Sequence, residues 1–350
     1  MPSDLATCLP LLIAAAAALG LAVVMSPARI SRTALLARGG TGLAGMVAIA
    51  GAPSLDLLVL ALLVLAVLHA SLPGKRDFSS RLQMPVVAVV LIVLALVFAR
   101  VQGPELLQRL AAVGIAAGLA ACVGLLPYIH VLEPEDMVAV SPTVWIGFVG
   151  PVAATAILVR ARGLLSLDAG TDLGAMLVGL GLVNMLWGTL AAWRAESSTR
   201  AWHYSFMADW GLALCGFGLT VADGQAAALL ILVSIVFGRL PLYLASRQAL
   251  RENQSADRPI NLMVAAVLAG SAPFAGFAAR VLLLRGATQM SWPLALVLAA
   301  GMLLWLPVSL RLGRTLGQPR GRQALGVGIV IAANAVVGLY PLPLLTLASR

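Results

Sequence analysis

Three charged residues stand well inside apolar stretches of this sequence, and they are the first candidates for chemistry. Asp209 lies in TRAWHYSFMADWGLALCGFGL, Arg239 in SIVFGRLPLYLASR and Arg280 in GSAPFAGFAARVLLL. Charged groups within a bilayer are costly, and they usually take part in function or in an ion pair. Asp209 and Arg239 fall at similar depths in consecutive predicted helices, roughly 13 Å and 12 Å from the same face at 1.5 Å per residue. This spacing predicts an ion pair.

Two interpretations of Asp209 follow from that spacing. If Arg239 lies within salt-bridge distance of Asp209, the ion pair is structural. Removal of either partner would then leave the other as an unpaired buried charge. If Arg239 points elsewhere, Asp209 can bind and release a proton within the membrane. His203, Tyr204 and Ser205 begin the same predicted helix. The second interpretation therefore includes a water-mediated relay from these residues towards Asp209.

The composition places these residues in a polytopic membrane protein. Of the 350 residues, 61% are hydrophobic and 11% are charged, whereas soluble domains carry roughly 25% charged residues. About twelve apolar segments recur, and each is long enough to cross a hydrocarbon core of ~30 Å. Their centres are Ala15, Leu43, Leu63, Leu91, Ala116, Pro151, Gly181, Ala213, Leu232, Ala269, Ala300 and Ala332. The expected fold is an all-α bundle of about twelve membrane helices.

The basic residues between the segments predict an orientation. Counting Lys and Arg on alternate sides places fifteen on one side and six on the other, with Arg239 and Arg280 omitted as intramembrane. Cytoplasmic loops carry the excess of such residues. Both termini are therefore predicted on the non-cytoplasmic face of the inner (cytoplasmic) membrane. Because these loops account for the formal net charge of +9, no nucleic-acid partner is expected.

Other classes of site lack the residues that they need. Cys8, Cys122 and Cys215 stand in or beside apolar segments without metal-ligand or disulfide spacing, so neither a metal nor a cofactor is expected. No nucleophile-elbow, P-loop, HExxH or dinucleotide motif occurs, so no catalytic residue is assigned. The acidic loop Glu133–Asp136 leaves a membrane transferase, binding a metal and a diphosphate there, as an alternative.

Proline and glycine in GSAPFAGFAARVLLL predict a break in one of the membrane helices. Proline removes a backbone donor and clashes with the preceding helical turn. Half-helices produced in this way in transporters face an internal polar cavity. The residues that mark this break are Gly270, Pro273 and Gly276.

Segments between residues 130 and 346 resemble, in order, the antiporter-like membrane subunits of respiratory complex I. This fold family includes the Mrp sodium/proton antiporters and the membrane-bound group 4 hydrogenases. LEPEDMVAVSPTVWIGFVGPVAATAILVRARGLL is similar to a loop and the first broken helix of the family, so the resemblance implies a further break marked by Pro142 and Pro151. STRAWHYSFMADWGLALCGFGL is similar to its next motif, with matches at Arg200, Tyr204, Ser205 and Gly211. GSAPFAGFAARVLLL resembles its second broken helix, and VVGLYPLPLL resembles its closing segment.

The resemblance implies a proton path that this sequence does not reproduce. Family members use lysines at the broken helices, with a glutamate on an earlier helix, to move protons across the membrane. The lysine positions correspond here to Ala153, Thr199 and Arg280, and the single lysine of the sequence, Lys75, lies in a predicted polar loop. Arginine keeps its proton in proteins. The lysine relay of the family therefore cannot operate in this chain.

These observations predict an antiporter-like subunit of a complex I-related or Mrp-related assembly. Its role would be translocation of H⁺ or Na⁺, or scaffolding, and its partners would be the other membrane subunits. The predicted parts are N-terminal membrane helices over residues 1–125 and an antiporter-like domain over residues 126–350. The alternative function is a stand-alone secondary transporter in which Arg239 and Arg280 bind an anionic substrate.

Overall fold

The computed structural model describes residues 2–26, 32–71, 78–101, 105–129, 145–252 and 254–349, and within these ranges all regular structure is helical. The helices are α1 (Pro2–Met25), α2 (Arg32–Gly51), α3 (Leu55–Ser71), α4 (Phe78–Arg100), α5 (Glu105–Val123), α6 (Trp145–Arg162), α7 (Leu167–Arg194), α8 (Ser198–Gly218), α9 (Ala222–Arg251), α10 (Pro259–Ala269), α11 (Ala275–Met290), α12 (Trp292–Arg314), α13 (Arg322–Leu339) and α14 (Leu342–Ser349). Every predicted segment centre lies in one of these helices.

The length and composition of the helices confirm the all-α polytopic class. In the described part of the chain, eight helices are long and apolar enough to cross a membrane. These are α1, α4, α5, α6, α7, α9, α12 and α13. Helices α2, α3 and α10 contain shorter apolar stretches. A helix needs about 20 apolar residues to span the hydrocarbon core, so α10 is a half-helix by length.

Helix α8 lies at the centre of the bundle. Every residue from Ser205 to Gly218 is buried, as expected for a helix that packs on all sides. Its two tryptophans donate hydrogen bonds to neighbouring elements. The Nε1 of Trp202 donates to the hydroxyl of Thr315 at 2.9 Å, and the Nε1 of Trp210 donates to the carbonyl of Ile146 at 2.6 Å. These contacts fix the rotation of α8 within the bundle.

Glycines at intervals of seven residues let α7 and α8 pack backbone to backbone. A Cβ added at Gly181 would lie 2.6 Å from the carbonyl oxygen of Gly211. Similarly, a Cβ at Gly218 would lie 2.5 Å from the carbonyl oxygen of Gly174. Small residues permit this close approach in membrane bundles, where packing rather than water exclusion drives association. The pair α7–α8 is therefore a tightly packed unit that holds the middle of α8 in place.

Arginines bind the carboxyl ends of three helices. The Nε of Arg160 donates to the carbonyl of Ala52, just after α2, at 2.9 Å. The Nη2 of Arg162 donates to the carbonyl of Phe217, near the end of α8, at 2.9 Å, and Arg311 donates to two carbonyls at the end of α7. The last carbonyls of a helix have no partner within it, and a cation there also complements the helix dipole. Several arginines that the orientation count treats as loop residues are thus part of the bundle itself.

The predicted break at Gly270–Pro273 is present between α10 and α11. Helix α10 ends at Ala269, Gly270 adopts a left-handed conformation with φ of +61°, and α11 begins at Ala275. A glycine in this conformation is a common end to a helix because it has no Cβ to clash. The connecting residues pack on α13, where a Cβ added at Gly338 would lie 2.1 Å from the carbonyl oxygen of Pro273.

The other predicted break lies partly outside the described residues. Helix α6 begins with a π-helical turn, Trp145–Val149, and Pro151 follows directly in its α-helical part. Pro142 is among the residues that the structure does not describe. An irregular turn therefore accompanies Pro151, and a half-helix before it stays a prediction.

Candidate functional site

The three predicted intramembrane charges meet in one cluster, which we call the charge triad: Asp209, Arg239 and Arg280. They come from α8, α9 and α11 respectively. The Nε of Arg239 donates to Oδ2 of Asp209 at 2.8 Å, and its Nη2 also contacts that oxygen. The Nη2 of Arg280 lies 3.7 Å from the other carboxylate oxygen, Oδ1. The ion pair predicted from equal depth is therefore observed, and Arg280 joins it from the broken helix.

The charge triad is buried and carries an excess of positive charge. The side chains of Arg239, Asp209 and Arg280 are 3%, 10% and 11% exposed. One carboxylate faces two guanidinium groups, so the formal charge of the cluster is +1. Buried charges are tolerated when they are paired and hydrogen-bonded. Asp209 and Arg239 satisfy that condition. The charge of Arg280 is only partly compensated, because its contact with Asp209 is 3.7 Å long.

An irregular turn of α9 ends at Arg239, the first arginine of the triad. The segment Ser234–Arg239 forms a π-helical turn, and Pro241 follows in the next turn. Such turns insert an extra residue into an α-helix and are frequent at functional sites. The turn packs closely on α13, because a Cβ added at Gly238 would lie 3.1 Å from Oδ1 of Asn334. The backbone of Arg239, at the end of this turn, is thus held against α13 by the packing of Gly238.

Two groups that the sequence analysis did not identify hold Arg239 from the other side. Its Nη2 donates to the carbonyl of Leu268 at 3.3 Å, and its Cζ lies 5.3 Å from the ring centroid of Trp305. Trp305 also donates its Nε1 to the Leu268 carbonyl, at 2.9 Å. This carbonyl belongs to the last turn of α10, where helical acceptors are free. The predicted break was a sequence signal for a free carbonyl group at this place, because a helix that ends leaves acceptors without partners. The sequence around Trp305 gave no signal that its ring would contact Arg239.

Both glycines predicted at the second break make room for Arg280. A Cβ added at Gly270 would lie 1.5 Å from Nη1 of Arg280. One added at Gly276 would lie 2.8 Å from the Cα of Gly270, so the two glycines also allow the start of α11 to approach the end of α10. The side chain of Arg280 therefore packs directly against Gly270 and Gly276.

Gly270→Ala is expected to displace Arg280 from Asp209 while leaving the fold intact. The new methyl group would occupy the place of Nη1, and the left-handed backbone conformation would be strained by about 1 kcal/mol. The end of an arginine side chain can move, so the protein should still purify as a monodisperse species with a modestly lower melting temperature. Gly328→Ala is the matched control, because no atom lies within 4 Å of its added Cβ. Equal melting temperatures for the two variants would contradict this role of Gly270.

The three other predicted path residues lie at the beginning of α8. His203 is 3% exposed, and its ring centroid lies 5.7 Å from that of Tyr204. Ser205 donates its hydroxyl to the carbonyl of Trp202 at 2.6 Å, so this hydroxyl is used within its own helix. The charge triad does not include these residues. A relay from His203 to Asp209 stays a prediction.

No metal-binding cluster occurs in the part of the chain that the structure describes. Within it, no three His, Cys, Asp or Glu side chains come close enough together to hold an ion. The acidic loop Glu133–Asp136 lies outside the described residues. The transferase alternative therefore stays untested.

Comparison with solved structures identifies the fold. A chain of respiratory complex I from Thermus thermophilus with bound NADH is 16% identical, with a TM-score of 0.74, over 98% of this chain and 84% of the other. A chain of the archaeal membrane-bound sulfane sulfur reductase is 17% identical, with a TM-score of 0.72 over 95% of this chain. A chain of the Mrp complex from Dietzia sp. is 14% identical, with a TM-score of 0.71 over 99% of this chain.

The antiporter-like fold is confirmed, and the match reaches well beyond the sequence motifs. It includes the N-terminal helices, because 95–99% of the chain is covered. The protein spans 64% of the matched reductase chain and 44% of the matched Mrp chain, so both are longer. No protein-family model and no curated protein sequence matches this sequence.

Proposed function

We propose that this protein is an antiporter-like subunit of a multi-subunit membrane complex related to complex I, the Mrp complex or the sulfane sulfur reductase. The support is a shared fold over nearly the whole chain. The solved relatives are complexes of several membrane subunits. Large apolar side chains on α7, among them Trp187, Leu190 and Trp193, are exposed, which is compatible with contact to lipid or to other membrane helices.

The role that we propose within such a complex is structural support rather than a lysine-based proton relay. The observation that carries this proposal is the charge triad. Arg239 uses two nitrogens on Asp209 and shares one of them with the Leu268 carbonyl, and Arg280 faces the remaining carboxylate oxygen. Loss of the negative charge would leave two guanidinium groups facing each other in a buried site. The arrangement is therefore suited to holding three elements together at the broken helix.

A stand-alone transporter using both arginines for an anionic substrate fits this geometry less well. Arg239 is 3% exposed and is held by Asp209, Leu268 and the ring of Trp305. Substrate binding by this residue would require those contacts to break. Arg280 is less constrained, because its nearest carboxylate contact is 3.7 Å long.

Purification of the tagged full-length chain in a mild detergent, from its own cells, tests the proposal. We expect it to migrate on native gels with other multi-pass subunits of a redox or cation-transporting complex. Deletion of its gene should deplete the assembled complex, and the purified chain alone should not acidify proteoliposomes. A chain that purifies without membrane partners and moves protons by itself would refute the proposal.

A further inference from the structure

The positive excess of the charge triad is located on its α11 side. Arg239 binds Asp209 through two nitrogens, so this pair is close to neutral as a unit. Arg280 supplies the additional charge, and its contact with Oδ1 of Asp209 is 3.7 Å long. An uncompensated charge is costly at membrane depth. A further negative group near Arg280 would remove that cost.

Buried donors at the same place lack acceptors. The Nε and Nη1 of Arg280, together with Nη1 of Arg239, make no hydrogen bond to any residue that the structure describes. Buried guanidinium nitrogens are ordinarily hydrogen-bonded, because an unmade bond to a charged donor is expensive. Two of these three donors belong to the residue that carries the excess charge.

A small cavity opens beside Arg280. Its polar side chains are Asp209, Ser234 and Arg280, and its apolar wall includes Leu212 and Ile231. The glycines of the break complete the wall, so no side chain from them intrudes. The carboxylate on the wall is already bound by Arg239. Arg239 contacts only Oδ2 of this carboxylate and does not line the cavity. The wall therefore carries the carboxylate of Asp209 and the guanidinium group of Arg280, within a cluster whose formal charge is +1.

We infer that this cavity binds one small monovalent inorganic anion, held by Arg280 and next to Ser234. A single negative charge would bring the formal charge of the cluster from +1 to zero. The narrow apolar wall selects against large organic anions, and charge-assisted hydrogen bonds from a guanidinium group provide the affinity. This site would complete the polar centre of the broken helix. It does not depend on the proposed membership of a complex.

Direct binding of radiolabelled chloride to the purified full-length chain tests the site. Ionic strength is kept constant with gluconate, an organic anion too large for the cavity. We expect a single class of saturable chloride binding that bromide displaces and gluconate does not. Arg280→Gln should weaken the binding roughly ten- to a hundredfold, as expected for the loss of charge-assisted hydrogen bonds.

Arg285→Gln is the matched control for this experiment. It removes the same charge from the same helix, but at a side chain that is 67% exposed and pairs with Asp223 at 2.8 Å. Its chloride binding should equal that of the wild type. If Arg280→Gln does not fold, Arg280→Lys keeps the charge without the forked donors and should bind chloride more weakly than the wild type.

Three results would overturn the anion site. They are the absence of saturable chloride binding in the folded wild-type protein, unchanged binding in a folded Arg280→Gln variant, and unchanged binding in Arg280→Lys. A failure here leaves the proposed function standing, because co-purification with membrane partners is measured independently.

Discussion

Asp209→Asn is expected to lower the free energy of unfolding by about 3–5 kcal/mol, the usual effect of removing one partner of a buried ion pair. The variant would leave two buried guanidinium groups, from Arg239 and Arg280, without a counter-charge. Such a protein should be recovered in low yield and should aggregate during purification. Thermal unfolding in detergent, with gel filtration to measure the monodisperse fraction, gives the result.

The three members of the charge triad should differ in their effects, which makes the prediction specific. Arg239→Gln leaves Asp209 with Arg280, and Arg280→Gln leaves Asp209 with Arg239, so both variants have a formally neutral cluster. Their losses should be smaller than that of Asp209→Asn, and Arg280→Gln should be the mildest because its contact is the longest. The double variant Asp209→Asn/Arg239→Gln restores the wild-type charge of +1 and should recover part of the stability.

Asp257→Asn is the control for the loss of a carboxylate. Asp257 pairs with Arg314 at 2.7 Å, but its side chain is 68% exposed. Exposed pairs contribute about 0–1 kcal/mol, so this variant should unfold like the wild type. Equal losses for Asp209→Asn and Asp257→Asn would refute the structural role of the triad. A folded Asp209→Asn variant with unchanged activity in every ion-coupled assay would eliminate Asp209 as a proton carrier.

Gly181→Val should prevent α7 and α8 from packing, at a loss of about 3 kcal/mol, since overpacking here meets backbone atoms. The first added carbon would already lie 2.6 Å from the carbonyl oxygen of Gly211 and 2.7 Å from the amide nitrogen of Cys215. Backbone atoms cannot rotate away as the end of a side chain can. The two helices would have to separate, and the middle of α8, with Asp209, would move with them.

The matched control for this substitution is Gly179→Val on the same helix. No atom lies within 4 Å of a Cβ added at Gly179, and the helix propensities of the two substitutions are equal. The control should give a wild-type yield and melting temperature, whereas Gly181→Val should give little monodisperse protein. Similar behaviour of the two variants would show that the glycine contact is not required for packing.

Local signals account for the features of the fold that were predicted correctly. Apolar runs of membrane length locate the helices, because backbone groups in a bilayer must be satisfied within each segment. The interruption at Gly270 was predictable for a similar reason, since a glycine beside a proline ends a helix whatever surrounds it. The pairing of Asp209 with Arg239 followed from helical rise alone, because consecutive membrane helices run antiparallel and place equal depths side by side.

Contacts between distant parts of the chain account for what was missed. The ring of Trp305 and the carbonyl of Leu268 reach Arg239 only because α10, α12 and α9 converge. Similarly, the binding of Arg160 to the end of α2 joins residues more than one hundred positions apart. No periodicity in the sequence indicates such convergence. The sequence showed an excess of arginine, and the structure shows that several of these residues bind helix ends.

The sequence by itself determined that this is an all-α membrane protein with an interrupted helix, a buried carboxylate and no lysine within its predicted membrane segments. These properties depend on composition, hydropathy and helical rise, which act over one or two helices. Only the tertiary structure decided that Arg280 faces Asp209 and packs against Gly270 and Gly276. The reason is geometric. The direction of an arginine side chain depends on the rotation of its helix and on the space beside it, and both are set by packing against helices elsewhere in the chain.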